Sequence, residues 1–418
     1  MQKGAILIAA SNIINQITES KKKASQCFRQ YFNSNKYAGA KDKKLIETLV
    51  YSVLKNYFAL EKIFKTNNIL FNNRNILLFI YFKKYSEHDL SDLYSGKYSL
   101  KKEDKDKFIC TFSKNFNDPL FPILPDWLKE KLKNSLSDKQ IKEFFKSIMG
   151  HARLDLRINS MHYKREKVIS LLNELNIEAI PTKVSPLGIT IQKKIPENKL
   201  KKNKWNYFEV QDEGSQIMSL LSGVEPYMKV LDYCAGKGTK TLALYDLMNG
   251  KGELLAHEKD QVRSSHLQRR LKKLRLNKIK VIEYLEDYNN YFDLVLVDVP
   301  CSGSGTWKRR PEDLLRLKKA DYENLLKVQQ DILNKSAFLC KSNGLITYLT
   351  CSIFEEENEQ QINKFLKKNK NFERADIKNK FLNNYLDFLK KKDKSCFTLL
   401  PNKLNTDGYF ISSIKKKT

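Results

Sequence analysis

With 418 residues, 41% of them apolar, the chain is too long for one ordinary core and apolar enough for two or three. Its 76 Lys and Arg against 48 Asp and Glu leave a formal charge of +28, which predicts attraction to a polyanion that weakens steeply with salt, although a lysine-rich, AT-rich coding background gives the same excess. Seven scattered cysteines, odd in number and without a CxxC pair, argue against a disulfide framework or a zinc site, and no run reaches the ~20 apolar residues of a membrane span, so reduced thiols in a cytoplasm are expected.

Residues 1–125 read as helical. In Asp42–Phe64 the residues Leu45, Leu49, Val53, Leu60 and Phe64 recur at helical spacing with charges between them, and Asp42 stands as the expected N-cap. Three prolines within Asn117–Trp127 break the pattern and mark a linker. Residues 126–208 read as a small α+β, RRM-like module. It has two helices near Trp127–Leu136 and Asp138–Met149, a strand alternating through Leu154, Leu156 and Ile158, the helix "REKVISLLNEL" and the strand "GITIQ". The lysine run Lys193–Trp205 closes it. This is either a solvated surface or, with Trp205, Tyr207 and Phe208 following, a track for a phosphate backbone.

From 209 to 418 strands alternate with helices, which predicts an α/β, doubly wound sheet with ligands beyond the carboxyl ends of its strands. "LDYCAGKGTKT" (Leu231–Thr241) is a strand, a glycine loop and a helix start. It lacks the Walker pattern, and Thr241 stands where a dinucleotide loop has its third glycine. A loop that holds its ligand by backbone contacts remains, with Asp232 before it and Glu258 at the end of the next strand, placed to accept hydrogen bonds from two ribose hydroxyls. These features suggest a nucleoside cofactor such as S-adenosylmethionine. Its expected contacts are Asp232, Cys234, Ala235, Gly236, Lys237, Gly238, Thr239, Lys240 and Glu258. "FDLVLVDVPCSGSG" and "YLTCSIFEEENE" each place a cysteine, Cys301 and Cys351, just past a strand end, with Asp298 beside the first. Alone, either reads most simply as an inert buried thiol; at neighbouring strand ends they form a candidate catalytic pair.

With these motifs the chain resembles the RsmB/Nop/Sun family of RNA cytosine-5 methyltransferases. "CAGKGTKT", "FDLVLVDVPCSGSGTWKRRPE" and "YLTCSIFEEENEQQI" carry the likeness in order and spacing. "RLDLRIN", "QDEGSQIM" and "TDGYF" extend it, and "YAGAKDKKLIETLVYSVL" resembles the NusB-like RNA-binding domain of the bacterial 16S rRNA branch. The resemblance implies a Rossmann-like methyltransferase core at 209–418, RNA-binding domains at 1–125 and 126–208, S-adenosylmethionine as cofactor and 16S rRNA as substrate. No metal and no membrane are expected, and the chain is expected to be a monomer. It further implies that Cys351 is the thiol that attacks C6 of cytosine, that Asp298 hydrogen-bonds the ring near N3 and also borders the cofactor, and that Cys301 assists release. The opposite assignment has its own precedent, since DNA cytosine-5 methyltransferases attack with the Cys of a Pro–Cys pair. Lys240 is placed to favour a thiolate, and Arg309 and Arg310 to meet RNA phosphate or brace the loop. Either Glu286 or Asp287, with Asp287 preferred, is the acid for adenine. Lys237 and Thr239 depart from the family's loop, and Thr239, standing where a glycine is usual, predicts strain if φ there is positive. His257 and the other histidines show no partner in the sequence. The competing readings are an RNA-binding assembly protein with a degenerate cofactor loop, and a transfer-RNA cytosine-5 methyltransferase.

Overall fold

The computed structural model describes residues 1–84, 93, 97–99, 124–193, 195, 200, 207–379 and 382–418. Most of the expected linker Asn117–Trp127 and of the lysine run Lys193–Trp205 lies outside them. The chain divides into two compact units, Met1–Met149 with Arg309–Leu317, and Gly150–Lys308 with Lys318–Thr418. In this division helices 126–149 group with the N-terminal helices, and the small sheet groups with the core.

The first unit contains α1 (Lys3–Glu19), α2 (Ala24–Ser34), α3 (Ala40–Thr66), α4 (Asn73–Lys84), α5 (Asp126–Ser135) and α6 (Asp138–Met149). Helix α1 buries Ile6, Leu7, Ala10, Ile13, Ile14 and Ile17, a stripe at three- and four-residue steps that packs on Leu49, Val53, Leu60 and Phe64 of α3. The N-cap of α3 is Gly39 rather than Asp42. Ala40 and Lys41 continue the helix outward, and Asp42, now its third residue, accepts the Gly39 N–H at 3.1 Å. The segment 309–317 belongs to this unit through polar caps. Glu312 accepts the Ala24 N–H at the start of α2 (2.9 Å), and Arg316 donates to the carbonyls of Ile17 (2.5 Å) and Lys22 (2.7 Å) after α1.

The second unit begins with a four-stranded antiparallel sheet, order β2–β3–β1–β4, made of β1 (Leu154–Ile158), β2 (Ala179–Pro181), β3 (Gly188–Ile191) and β4 (Phe208–Val210). Val168 and Leu172 of α7 (Arg165–Glu174) cover Leu156, Ile158, Ile189 and Ile191 on one face. On the other face of β1 Asp155 and Arg157 are 1% and 2% exposed. That face meets the large domain, so its polar groups are paired instead of solvated.

The large sheet has nine strands: β5 (Lys229–Asp232), β6 (Glu253–His257), β7 (Ile279–Ile282), β8 (Phe292–Asp298), β9 (Cys340–Thr350), β10 (Phe372–Arg374), β11 (Leu389–Asp393), β12 (Cys396–Leu399) and β13 (Tyr409–Lys416). The order is β11–β12–β13–β9–β8–β5–β6–β7, with β10 on β13. Strands β7, β6, β5, β8 and β9 are parallel, and the others join antiparallel. Along β8, Leu294 and Leu296 enter one apolar cluster and Val295 and Val297 another, so the sheet is buried on both faces. The first cluster takes in α8 (Glu213–Leu220), α9 (Thr239–Leu247) and α10 (Gln261–Lys273); the second takes in α11 (Lys319–Leu339) and α12 (Glu359–Lys368). The chain runs outward from β5 to β7 and returns to β8 on the other side of β5. The crevice for a ligand therefore opens at the carboxyl ends of β5 and β8.

Candidate active site

The glycine loop leaves the carboxyl end of β5. Gly236 and Gly238 hold φ of +57° and +79°, and a Cβ on Gly238 would lie 2.4 Å from Leu267 Cδ1 on α10, so only glycine fits there. Thr239 is the first residue of α9 and is not among the positive-φ residues. The strain expected there is absent because the two glycines absorb the turn before it. Lys237 is exposed, and its carbonyl faces inward to Arg270 at 2.6 Å. Glu258 accepts the Gly236 N–H and the Asp260 N–H, both at 2.9 Å, one on each carboxylate oxygen. Asp232 accepts the Thr241 hydroxyl on Oδ2 at 2.6 Å, while its buried Oδ1 has no protein partner. Burial, with Asp298 and Glu258 nearby, pushes the Asp232 carboxyl up to about 7 against the opposing Thr241 bond. Burial, then Asp232, Asp298 and Glu258, holds the Cys234 thiol well above its ordinary value, which makes it a poor nucleophile.

This loop fits S-adenosylmethionine. Its glycines leave the backbone open, Glu258 keeps a lone pair on each oxygen for ribose hydroxyls, and Asp232 has an unused acceptor at the strand end. Glu286 and Asp287 lie exposed in the turn after β7, where Glu286 accepts the Leu285 N–H at 2.9 Å.

At the ends of β8 and β9 the two cysteine loops converge, with Cys301 and Cys351 sulfurs 3.3 Å apart. Asp298 accepts the Lys240 ammonium at 2.7 Å from the first turn of α9. Burial alone would lower the Lys240 pKa, but Asp298, then Cys351 and Asp232, outweigh it and raise it, so a cation stands beside Cys351. The hydrogen bond with Cys351, followed by burial, pushes the Cys301 thiol well above its ordinary value. The Cys351 contact and burial thus favour the protonated form of Cys301, and the Lys240 ammonium interacts with the sulfur of Cys351.

A second group of residues, absent from the sequence reading, fixes this pair. Glu357 is fully buried and accepts the Ser302 N–H (2.8 Å), the Ser302 hydroxyl (2.5 Å), the Ser352 hydroxyl and the Gln329 amide (2.9 Å). Gln329 also donates to the Pro300 carbonyl at 3.0 Å. Asn358 accepts the Thr350 hydroxyl at 2.6 Å and donates to the Ser352 carbonyl at 3.0 Å. One carboxylate therefore ties the loop of Cys301 to the loop of Cys351. The acidic run after "TCS" is the available signal, but nothing in three consecutive glutamates says that the third is buried. Gly305 donates to the Cys351 carbonyl at 2.9 Å, and a Cβ there would lie 2.3 Å from the Gly408 oxygen, which explains the glycine and the approach of "TDGYF".

His257 does have a partner, the Tyr233 carbonyl at 3.1 Å from Nδ1. Arg309 and Arg310 count with the helical unit, where Arg310 pairs with Asp313 at 2.5 Å. Among the described residues no His, Cys, Asp and Glu cluster is arranged for a metal, and no helix is long and apolar enough to cross a membrane.

The sheet and its glycine loop define a Rossmann-like methyltransferase, a class that uses S-adenosylmethionine. Residues 219–415 match the family described as 16S rRNA methyltransferase RsmB/F, and residues 124–197 match the RsmF/B-like, ferredoxin-like domain. Between them the two matches show that the chain carries an RsmB/F-type methyltransferase domain with an RsmF/B-like, ferredoxin-like domain before it. A Synechocystis protein named "Probable ribosomal RNA small subunit methyltransferase B" is 29% identical over 299 residues, 70% of this chain and 66% of the relative. Ribosomal RNA small subunit methyltransferase B of Proteus mirabilis is 28% identical over 305 residues, again 70% and 66%. The matched stretch thus spans just under two thirds of these relatives' length. The crystal structure of PH0851 superposes with a TM-score of 0.79 at 22% identity over 98% of this chain and 99% of that one. NSun6 from Pyrococcus horikoshii, solved with SFG, gives 0.61 at 17% over 71% and 99%. Both are likenesses of fold.

Proposed function

We propose that the protein methylates C5 of a cytosine in RNA through a covalent bond between Cys351 and C6 of the base. The RsmB/F match and the names of the relatives point to 16S rRNA as the substrate. The observation that carries the reading is the pair of sulfurs 3.3 Å apart, with the Lys240–Asp298 ion pair beside it at the carboxyl ends of adjacent parallel strands.

Cytosine C5 is a weak nucleophile. Addition of the Cys351 thiolate to C6 makes the ring enamine-like and gives C5 the electron density it lacks. Lys240 favours the thiolate before attack, and Asp298, hydrogen-bonded near N3 and paired with the Lys240 ammonium, passes a proton to N3 so that the negative charge arriving there as the C–S bond forms is neutralised. Bound S-adenosylmethionine supplies the electrophilic methyl group that C5 accepts. A base then takes the C5 proton, the C5–C6 double bond returns and the C6–S bond breaks. Cys301, whose protonated form is favoured by its contact with Cys351 and by burial, then hydrogen-bonds the departing thiolate, a role that the 3.3 Å separation of the sulfurs supports. The base must leave its stack to reach these sulfurs, and the basic helical and ferredoxin-like parts are where backbone contacts offset that cost.

Bisulfite sequencing of ribosomal RNA from cells with and without the gene tests the reading. One protected cytosine should disappear in the deletion; an unchanged cytosine map would overturn it.

A further inference from the structure

Helix α9, which starts at the glycine loop, is gripped at both ends from the small sheet. Arg157 on β1 and Glu209 on β4 are register partners across the antiparallel pair, so their side chains leave the same face. Arg157 reaches Asp246 near the end of α9, with its Nε on Gln211 at 2.8 Å. Glu209 meets the guanidinium of Arg270 on α10, and that guanidinium also donates from Nη1 to the Lys237 carbonyl in the glycine loop at 2.6 Å. One turn earlier on α10, Leu267 fills the space beside Gly238.

We infer that Arg270, held by Glu209, is a positioning residue for the cofactor loop, so that the small sheet presets the loop's hold on the methyl donor. The inference rests on the reading of residues 234–240 as the cofactor loop. Lys237 sits between two glycines at positive φ, a stretch with little side-chain packing to fix its peptide planes. A guanidinium fork spans two acceptors at once, which a lysine ammonium does less well. Fixing the Lys237 peptide orients the neighbouring backbone N–H groups and lowers the ordering cost of binding. Arg157 anchors the other end of the same helix through Asp246, so both ends are tied to the small sheet.

The test is isothermal titration of the full chain with S-adenosylhomocysteine. Glu209→Gln and Arg270→Met should each weaken binding roughly tenfold, as loss of one ordering contact does, with Arg270→Lys between them and wild type. The double variant should bind no more weakly than Arg270→Met alone, because both act through one contact. In turnover assays KM for S-adenosylmethionine should rise by the same factor while kcat holds, a split that general loosening would not produce. Glu209 and Arg270 keep about a quarter of their side-chain surface in solvent, 26% and 25%, which screens the pair, so melting temperatures should stay within a few degrees of wild type. Should Glu209→Gln melt far lower, Arg270→Lys, which keeps the charge, decides the matter. A Glu209→Gln protein that binds like wild type, or strictly additive losses in the double variant, would overturn the clamp. A wild-type protein that does not bind the probe would overturn the cofactor reading itself, and the clamp with it.

Discussion

The helical unit and the strand-end site are held together by opposite means. In the first, Ile13, Leu49, Val53 and Phe64 lie in one buried apolar cluster. At the second, Glu357, Ser302, Ser352, Gln329, Thr350 and Asn358 form a hydrogen-bonded knot with no exposed member. An apolar core asks for volume and tolerates exchange of shape. A buried polar knot asks for every donor to meet an acceptor, and loses heavily when one fails. The two should therefore respond to substitution in different ways.

The largest effect belongs to the sulfurs inside the knot. Cys351→Ala should remove methyl transfer altogether, a fall of about 10⁴-fold or more, with no covalent RNA adduct on a denaturing gel. Cys301→Ala should also stop turnover but leave the adduct trapped, because attack survives and release does not. Adduct in the Cys351 variant instead would reverse the two roles. Glu357→Ala comes next. It leaves the Ser302 N–H without its acceptor and strips the Gln329 amide of one of its two, should cost about 3–5 kcal/mol of stability, and should lower kcat by roughly 10²-fold as the cysteine loops part. Glu357→Gln should be far milder, since its carbonyl can accept both N–H groups and its amide can face the two serine hydroxyls. Equal damage from both variants would mean that charge, and not satisfied hydrogen bonding, holds the loops. In the helical unit, Leu49→Ala should cost about 2–5 kcal/mol and Leu49→Met less than about 1.5, with S-adenosylhomocysteine affinity unchanged in both. A Met variant as damaging as Ala would break the contrast.

The same contrast decides what was legible in the sequence. Apolar packing leaves a period, so α3 and the strand–helix alternation of the core could be read directly, and the cysteines, Asp298 and the glycine loop fell at strand ends where open sheets keep their ligands. Polar packing leaves no period. Nothing in the spacing of Asp155, Arg157 and Glu357 says that all three are buried. Asp42 was misplaced by three positions because a capping acid serves equally before the helix or inside its first turn. The capture of 309–317 by the helical unit rests on Glu312 and Arg316, whose partners lie almost 300 residues away in sequence. No local pattern carries such a contact.

The smallest expected effect tests whether a buried polar group without a full set of partners weakens the site before its ligand arrives. Asp232 is buried, has one oxygen satisfied by Thr241 and the other unpartnered, and titrates near 7 in the folded chain against 3.8 when unconstrained. Between those values the folded state keeps a proton that the unfolded state has released. Its contribution to stability is therefore full below about 4, falls as pH rises, and is gone above about 7. Asp232→Asn keeps an acceptor for Thr241 and cannot ionise. The ligand-free variant should melt a few degrees above wild type at pH 8, and the gap should close as pH falls toward 4. Parallel curves for the two proteins across that range would show that the strand-end aspartate is already satisfied, and that the polar end of the sheet carries no strain for the methyl donor to relieve.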